Sequence, residues 1–420
     1  MEKQSVRLFR NDLEAVFVRR PNRFLIIAKD GNREIPCHCP NPGRLIEFFG
    51  FRDSGIPGAR LILEERPREA KTTAKTAFTA AGIYYRNAVA PLFSSRANRA
   101  AEKLILPRII PGLREIQAEY TIGASRFDFC CTGEQGARHL IEVKACSLIE
   151  YAAAMFPDAP SERALKHLEE LAELSRRGYV CHVLFVIVHG KPSVFIPNLH
   201  TDPAFAAALS RLGRAVDPPG DRTEKGGTGA AAGKGPVLVH AALLRCNSRG
   251  GAKLAVPSVP VDLSHGALAA SNRGSYLVLL ELAGAAETEV GALGTVSFEA
   301  GWYVYAGSAQ RNLFSRISRH QRKVRKRKHW HIDYLSPWAK TIKAVPIMSY
   351  RNLECELAQA LTKLGGRAVP GFGSSDCRAA PGKRRCPSHL YYFADPPLRN
   401  RAFVDLLLRF RHREGLLRER

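Results

Sequence analysis

Apolar residues fall in short alternating runs over the first part of the chain. Arg23–Lys29 is such a run, Asp30-Gly31 is a turn signal, and Glu34–His38 is placed to return as its hairpin partner. Ala59–Leu63 forms another run of strand length. Several short strands so close together predict a small barrel or a curled sheet.

The middle of the chain changes from strand-like alternation to helical spacing and back. Ser125–Cys131 and Arg138–Lys144 have the pattern of neighbouring strands, and Ala97–Leu106 before them has helical spacing. Ser161–Arg177 places leucines on one helical face and precedes Tyr179–Val188, an apolar run typical of a strand covered on both faces. This order of elements predicts an α/β core.

A break in composition divides the chain. Residues 218–236 are rich in Gly, Ala and Pro, and the apolar runs after them are too short to form a domain alone. We therefore expect 218–236 to be a flexible insertion in the first domain, and a second break places the start of the second domain near Arg273. Strand patterns at Ser275–Leu282 and Trp302–Ala306 open that domain. Helical patterns follow from about Asn312, over Leu353–Leu364 and over Asn400–Arg411.

The net charge of the chain indicates the class of molecule that it binds. The chain has 420 residues, 45% of them hydrophobic, and 63 Lys and Arg against 39 Asp and Glu, for a net charge of +24. This composition excludes a wholly disordered chain, and the length favours two or three domains. So large a positive charge attracts polyanions, with nucleic acid first among them.

The apolar segments also bear on the cellular compartment. The longest aliphatic run, Val183–Val188, is too short to span a membrane, and the charged start of the chain lacks the apolar stretch of a signal peptide. The ten cysteines then indicate reduced thiols or metal ligands. We expect a cytoplasmic protein with no membrane partner.

Acidic residues interrupt two of the predicted strands. Asp128 lies within RFDF, and Glu142 and Lys144 lie within LIEVK, where their spacing of two places them on one face of a strand. If the strands pair, two carboxylates meet beside an amine. Such carboxylates can hold Mg²⁺ or Mn²⁺ for phosphodiester hydrolysis, and the lysine can stabilise the developing charge. A surface salt bridge is the alternative interpretation.

An acid on one strand followed by Glu-x-Lys on the next is the pattern of the PD-(D/E)xK nucleases. Residues 5–262 further resemble the SfsA family, the sugar fermentation stimulation proteins. The resemblance implies an OB-like barrel, a PD-(D/E)xK-like core and DNA binding, with Asp128, Glu142 and Lys144 on the nuclease-like positions. The chain departs from the family in reading EVKACSL instead of EVKNVTL. The blocks that carry the resemblance are HCPNPGR (38–44), Asn98-Arg99, SRFDF, EVK and FPDAPSERALKHLEEL (156–171).

Other residues are candidates around the same cleft. Asp158 and His167 could line it, and Arg163 and Lys166 could reach phosphates from the helix. The alternative for the helix residues is an ordinary solvated face. His38 and Arg44 frame a Pro/Gly loop that could present them to nucleic acid or be only a rigid turn.

A second constellation follows Arg273. Tyr276 lies in GSY, Tyr305 in GWYVYAGSA, Arg316 in RISRH and Glu354 in ECELA. Two tyrosine-bearing strands, a helical arginine and a later glutamate resemble the GIY-YIG nucleases. The resemblance implies proton transfer by tyrosine, phosphate neutralisation by arginine and a Mg²⁺ held by Glu354. The blocks HWHIDYL (329–335) and GFGSSDC (371–377) extend the resemblance to a related domain family over 273–393.

The chain departs from that pattern in two ways. The first motif reads GSY rather than GIY, and the long gap to Tyr303 requires an extra hairpin. Tyr303 could replace Tyr305, and Glu356 could replace Glu354. An inactive descendant with packed tyrosines is the alternative. His331 and Asp376 are further polar candidates for the same pocket.

The cysteines of this second domain suggest one possible metal site. Cys355, Cys377, Cys386 and His389 are a candidate zinc set, with Cys386-x-x-His389 at usable spacing. The absence of any Cys-x-x-Cys pair favours buried or free thiols instead.

Residues 311–328 carry nine Lys and Arg and no acid. A run this dense repels itself unless an anion neutralises it, so we expect contacts with a phosphate backbone. The Arg-rich segment 399–420 could add to them, and a solvated helix face or a targeting signal is the alternative. The expected nucleic-acid-binding residues here are Arg319, His320, Arg322, Lys323, Arg325, Lys326, Arg327 and Lys328.

Together these patterns predict an α/β (α+β) protein of two domains. The first combines an OB-like barrel (1–70) with a PD-(D/E)xK-like core (71–262), and the second is a small GIY-YIG-like α/β domain (273–393) followed by a basic tail (394–420). We expect a DNA-binding, metal-dependent phosphodiesterase. A non-enzymatic DNA-binding regulator of sugar-metabolism genes and an RNA-processing enzyme remain open, and no oligomeric state is predicted.

Overall fold

The computed structural model describes residues 4–50, 56–67, 76–110, 112–216, 235–322, 327–374, 377 and 385–418. The predicted insertion at 218–236 lies almost wholly outside these ranges. The chain forms two compact units, Met1–Ala267 and Leu268–Arg420. Within the described ranges, no helix is both long and apolar enough to cross a membrane.

The first unit is built mainly of strands. Its strands are β1 (Val6–Arg7), β2 (Leu13–Asn22), β3 (Leu25–Asp30), β4 (Arg33–His38), β5 (Arg60–Glu65), β6 (Phe78–Tyr85), β7 (Ala88–Pro91), β8 (Arg114–Ile122), β9 (Ser125–Thr132), β10 (Arg138–Cys146), β11 (Leu148–Glu150), β12 (Ala153–Phe156), β13 (Val180–Ile187), β14 (Val194–Pro197), β15 (Gly213–Ala215), β16 (Val237–Cys246) and β17 (Gly251–Val256). Its helices are α1 (Ile46–Phe49), α2 (Ala97–Ala100), a π-helical turn (Ala101–Ile105), α3 (Leu106–Ile109), α4 (Glu162–Arg176) and α5 (Pro203–Leu212).

Five strands close into a barrel at the start of this unit. They pair in the order β4-β3-β2-β5-β6, and β4 then pairs with β6 to complete the circle. Phe17, Ile26 and Leu61 fill its interior. The predicted small barrel is therefore confirmed. It extends past the predicted boundary at residue 70, because its fifth strand is β6.

A run of strands continues from the barrel as one sheet, β6-β7-β16-β13-β10-β9-β8, while β11, β12 and β14 form a separate three-stranded sheet. The central strands β10, β13 and β16 are parallel. Helices α4 and α5 cover one face, where Leu168 and Leu171 pack with Phe185. The helical segment 97–109 covers the other, where Ile105 packs with Leu184. This double cover explains why β13 is apolar throughout.

The helix α4 is defined by local signals in the sequence. Its N-cap is Ser161, whose side chain accepts a hydrogen bond from the backbone N–H of Ala164. Gly178 follows its end with a φ of +94°, a left-handed conformation that glycine adopts without strain. These two residues set the length of the helix, so His167 lies in its second turn.

A stack of histidines crosses the sheet, and the sequence patterns did not predict it. His139 on β10 lies 2.9 Å (Nδ1 to Nε2) from His182 on β13, which lies 3.0 Å (Nδ1 to Nε2) from His240 on β16. Burial lowers the pKa of His240 to about 4 and that of His182 well below its usual range. The stack is therefore neutral at pH 7.

The second unit begins within α6 (Gly266–Ser271) and contains β18 (Gly274–Leu282), β19 (Ala286–Glu289), β20 (Thr295–Phe298), β21 (Gly301–Ala309), α7 (Leu313–Gln321), α8 (Ile332–Leu335), β22 (Thr341–Met348), α9 (Glu354–Lys363), β23 (Arg367–Ala368), β24 (Leu390–Phe393) and α10 (Arg401–His412). Its main sheet has five strands in the order β22-β18-β21-β24-β23. A separate hairpin, β19-β20, supplies the extra hairpin expected between Tyr276 and Tyr303. The segment predicted as a basic tail contains the packed helix α10, which buries Phe403, Leu407 and Phe410.

The histidine stack makes the first unit sensitive to mild acid. Between pH 6.5 and 4 the unfolded chain protonates the imidazole of His240 while the folded chain does not, so the free energy of unfolding falls as the pH falls. His240 alone should account for about 3 kcal/mol of this loss. We expect His240→Asn to flatten the pH dependence of urea unfolding followed by circular dichroism. The exposed His329 offers a control, and equal pH profiles for His240→Asn and the unaltered protein would contradict the prediction.

Candidate functional site

Two carboxylates meet where β9 and β10 part. The last backbone pair between these strands joins Ile141 to Phe129, and Asp128 and Glu142 stand one residue further along each strand. Oδ2 of Asp128 accepts the backbone N–H of Val143 at 2.7 Å in place of a ladder bond. The side chains predicted from the strand pattern are thus brought together.

Glu142 is buried, with only 4% of its surface exposed. Its Oε1 lies 2.7 Å from Nδ1 of His167 on α4 and also accepts a hydrogen bond from Nζ of Lys144. Its Oε2 is buried without a hydrogen-bond partner among the described residues. Because buried polar atoms are nearly always partnered, an open carboxylate oxygen indicates a place for a ligand.

The surroundings shift the pKa values of Asp128 and Glu142 in opposite directions. Burial raises the pKa of Asp128, and the nearby charge of Glu142 raises it further. Burial also acts to raise the pKa of Glu142, but contacts with His167 and Lys144 outweigh it, and the net shift is downward. Glu142 therefore keeps its charge, while Asp128 is the carboxyl that takes up a proton more readily.

Asn98 is a site residue that strand reasoning missed. Its Nδ2 donates to Oδ1 of Asp128 at 2.6 Å from α2, directly before the π-helical turn. The only signal in the sequence was its place in a block that carries the family resemblance. His167 had been a candidate lining residue and instead contacts Glu142 directly.

Asp158 contacts the segment that follows the barrel strand β4. Its Oδ2 accepts the backbone N–H of Leu45 at 3.2 Å, and any side chain at Gly43 would overlap its carboxylate. Burial raises the pKa of Asp158. Burial and the charge of Asp158 together raise the pKa of Glu47 on α1 to about 8, so Glu47 is protonated at pH 7.

Three of the four expected phosphate-binding residues of the first unit are on the surface. Arg44, Arg163 and Lys166 are exposed. Lys166 lies 3.6 Å (Nζ to Oε1) from Glu170, an ordinary surface ion pair. His38 ends strand β4, where it pairs with the barrel strand β6 rather than lying in the loop.

The four residues of the second constellation also converge. β18 and β21 place Tyr276 opposite Gly307 and Val278 opposite Tyr305. Nη1 of Arg316 donates to the carbonyl oxygen of Ser308 at 2.7 Å, and the Ser308 hydroxyl donates to Oε2 of Glu354 at 2.6 Å. The charges of Arg316 and Glu354 both act on the buried Tyr305 phenol.

The alternatives considered for two of these positions have other contacts. The hydroxyl of Tyr303 donates to the carbonyl oxygen of Glu299 at 3.0 Å. Glu356 forms an ion pair with Arg351. Burial raises the pKa of both Tyr276 and Tyr305 above the usual range, so both phenols are protonated.

The basic run is only partly a surface. Lys323, Arg325 and Lys326 lie outside the described residues, and Arg322, Arg327 and Lys328 are exposed. Arg319 instead pairs with the buried Asp333 at 2.9 Å and stacks on Trp330. The expectation for His320 is corrected, because this residue is 1% exposed and its Nε2 lies 2.9 Å from the Tyr276 hydroxyl.

Three thiols and an imidazole form a cluster beside Glu354. One possible ligand atom from each of Cys355, Cys377, Cys386 and His389 lies within 4.8 Å of the others. The sequence had favoured separate thiols, because it contains no Cys-x-x-Cys pair. The structure brings the four side chains together in an arrangement that could hold a metal ion. Asp376 lies outside the described residues.

Three family models match the chain. One described as sugar fermentation stimulation protein RE domain matches residues 95–216, and one described as SfsA N-terminal OB domain matches 18–90. A third, described as domain of unknown function DUF123, matches 275–411. This last range overlaps the region in which we expected a GIY-YIG-related domain.

Curated relatives match about half of the chain. A sugar fermentation stimulation protein homolog from Pyrobaculum neutrophilum is 35% identical over 201 residues, which cover 48% of this chain and 82% of the relative. The chain belongs to the SfsA family. The SfsA homolog of Clostridium botulinum is 38% identical over 199 residues, 46% of this chain and 82% of its own. A solved structure of Pyrococcus furiosus SfsA in complex with Ca²⁺ covers 61% of this chain and 99% of its own, at 25% identity and a TM-score of 0.48.

Tyr276 requires glycine at position 307 on the paired strand. A Cβ at Gly307 would lie 2.5 Å from the Tyr276 hydroxyl oxygen, closer than packed atoms approach. We expect Gly307→Ala to lower the free energy of unfolding of the second unit by about 1–3 kcal/mol. Urea unfolding followed by tryptophan fluorescence would measure it, because all three tryptophans lie in this unit. Gly284→Ala is the control, since nothing lies within 4 Å of its Cβ position, and an equal loss in both variants would contradict this account.

Proposed function

We propose that this SfsA-family protein binds nucleic acid and hydrolyses phosphodiester bonds with a divalent cation held by Asp128 and Glu142. The observation that carries the proposal is the buried, unpartnered Oε2 of Glu142 beside a second carboxylate. An OB barrel in the same unit and a net charge of +24 favour a polyanionic substrate.

The donor set fits a hard cation such as Mg²⁺ or Mn²⁺. Glu142 offers its open oxygen, and each oxygen of Asp128 accepts one hydrogen bond and retains a second lone pair. When bound, such a cation supplies polarisation of the phosphate and a more acidic water.

The chain's own residues would orient the carboxylates and balance the charge. Asn98 and the backbone of Val143 hold the Asp128 carboxylate in place. His167 holds Glu142 from the covering helix. Lys144 stands beside Glu142, where its ammonium can stabilise negative charge that develops on a phosphate. Of these residues, Asp128, Glu142 and Lys144 are the ones to which the resemblance to PD-(D/E)xK nucleases assigns a role.

For the second unit we propose nucleic-acid delivery by a GIY-YIG-related domain. Its tyrosines are buried, and Glu354 is already engaged by Ser308 and His389, which favours binding over a second cleavage site. The exposed Arg322, Arg327 and Lys328 would meet the phosphate backbone. DNA is the expected partner, with RNA as the alternative. Ten free cysteines support a reducing, cytoplasmic location.

The second candidate function is a non-enzymatic DNA-binding regulator. The curated relatives are named for sugar fermentation stimulation, a name that describes a physiological effect rather than a reaction. In that case Lys144 and His167 would serve only to neutralise a structural Glu142.

The two candidate functions differ in whether the Glu142 carboxylate is needed to cleave DNA. We expect Glu142→Gln to lower cleavage of labelled single-stranded, duplex or branched DNA by at least ~100-fold in Mg²⁺ or Mn²⁺, because one cation ligand is lost. Glu169→Gln, at an exposed position on α4, should cleave normally. Glu354→Gln should also retain cleavage, and a loss of cleavage in Glu354→Gln but not in Glu142→Gln would move the active site to the second unit. Binding of DNA without cleavage under any of these conditions would favour the regulator, and preferential cutting of RNA would favour RNA processing.

The exposed basic residues predict how binding responds to salt. Each phosphate contact steepens the fall of the logarithm of affinity with that of salt concentration by about 0.9 for duplex DNA. Replacing Arg327 and Lys328 together by alanine should therefore lower the slope by about 2. Fluorescence anisotropy between low and moderate salt would measure it. Lys363→Ala, at an exposed position on α9, provides the comparison, and an unchanged slope in the double variant would remove these residues from the interface.

A further inference from the structure

The cysteine cluster of the second unit draws its members from separate parts of the chain. Cys355 lies in the first turn of α9, and His389 directly precedes β24. Cys377 and Cys386 come from the segment that connects β23 to β24. Cys377, Cys386 and His389 are buried, and Cys355 is partly exposed. No local sequence pattern requires these four side chains to meet, so their convergence is a property of the fold.

The distances fit one central ion. Sγ of Cys355 lies 3.3 Å from Sγ of Cys377 and 4.0 Å from Nε2 of His389. Tetrahedral ligands around zinc lie roughly 3.5–3.8 Å from one another, since the Zn–S and Zn–N bonds are about 2.3 and 2.0 Å. The observed separations bracket this value. All four residues are present as free side chains, with no disulfide between the thiols.

We propose that Cys355, Cys377, Cys386 and His389 bind one Zn²⁺ as a closed structural site. Three thiolates and an imidazole suit zinc and not Mg²⁺ or Ca²⁺, which prefer oxygen ligands. Four protein ligands fill a tetrahedral shell, so no position is left for water or substrate. The role is therefore structural, and it is independent of the carboxylate site in the first unit.

Glu354 contacts one of the four proposed zinc ligands without being a ligand itself. Its Oε1 lies 2.9 Å from Nδ1 of His389, although the Nδ1–H is not aligned on that oxygen for a hydrogen bond. Its Oε2 accepts the hydroxyl of Ser308 on β21. Metal-bound histidines usually donate their second ring N–H to a carboxylate, which fixes the tautomer and the ring orientation. Glu354 would thus be a positioning residue for His389, in place of the Mg²⁺ ligand that the resemblance to GIY-YIG nucleases implies.

The metal would fasten the segment that covers Tyr305. Gly373 in this segment has a φ of +71°, and a Cβ there would lie 2.9 Å from the Tyr305 ring. The backbone N–H of Gly373 donates to Nδ1 of His331 at 2.8 Å. A zinc ion that joins Cys377 and Cys386 to α9 would hold Gly373 and its described neighbours against the tyrosine.

Metal analysis of the full-length protein tests the proposal directly. We expect about one zinc per chain by mass spectrometry of the metal content in the unaltered protein, and its loss in Cys386→Ser. Cys246→Ser, which alters a partly exposed cysteine of the first unit, should retain the full content. Cobalt exchanged into the site should give the intense visible and sulfur charge-transfer bands of tetrahedral thiolate coordination. This spectrum keeps the test valid if Cys386→Ser does not fold.

The positioning role of Glu354 has its own readout. Glu354→Gln should still bind zinc, but competition with a chelator should show an affinity about 10–100-fold weaker. Zinc removal should also shift the tryptophan fluorescence of the second unit. The proposal fails if the purified protein contains no zinc and takes none up, if a disulfide joins Cys355 to Cys377, or if Cys386→Ser and Cys355→Ser keep the full zinc content.

Discussion

The burial of the Glu142 carboxylate in a sheet covered on both faces constrains the elements around it. A charge removed from water is costly unless neighbouring groups balance it. Lys144 two residues along the strand and His167 on the covering helix provide that balance, so α4 must lie in one register over β10. Ser161 caps the start of α4 and Gly178 follows its end, so these two residues help to fix the register of the helix. Packing and chemistry here depend on the same few side chains.

In the second unit, too, one carboxylate is held by side chains from separate elements. Glu354 is held between a hydroxyl on β21 and an imidazole before β24, and its neighbour Cys355 clusters with two further thiols and that imidazole. Position 354 was singled out from the sequence as a cation ligand because a lone glutamate on a helix matched that role. The contacts with Ser308 and His389 show a carboxylate occupied by protein partners, which a pattern of spacing cannot reveal.

Local patterns predicted the strands and helices well, because alternation, apolar runs and caps are encoded within about ten residues. The pairing of Asp128 with Glu142 also followed, since an antiparallel pair brings acids on neighbouring strands together. The closure of the barrel by β6 could not be predicted from local patterns, because the pairing of β4 with β6 joins residues about forty positions apart. The histidine stack could not be predicted for the same reason, because it gathers single residues from three distant segments. The four cysteine and histidine residues were a candidate set from the sequence, but their convergence depends on contacts between segments that lie far apart in the chain.

The barrel and the α/β core share one continuous hydrogen-bonded sheet, since β6 closes the barrel and also pairs with β7, which leads to β16. A strand that belongs to two substructures couples their folding. Loss of β6 would open the barrel and expose the edge of the core sheet in the same event. The two parts should therefore melt together as a single cooperative block, and the OB barrel of this chain is an inseparable section of a larger fold rather than an exchangeable module.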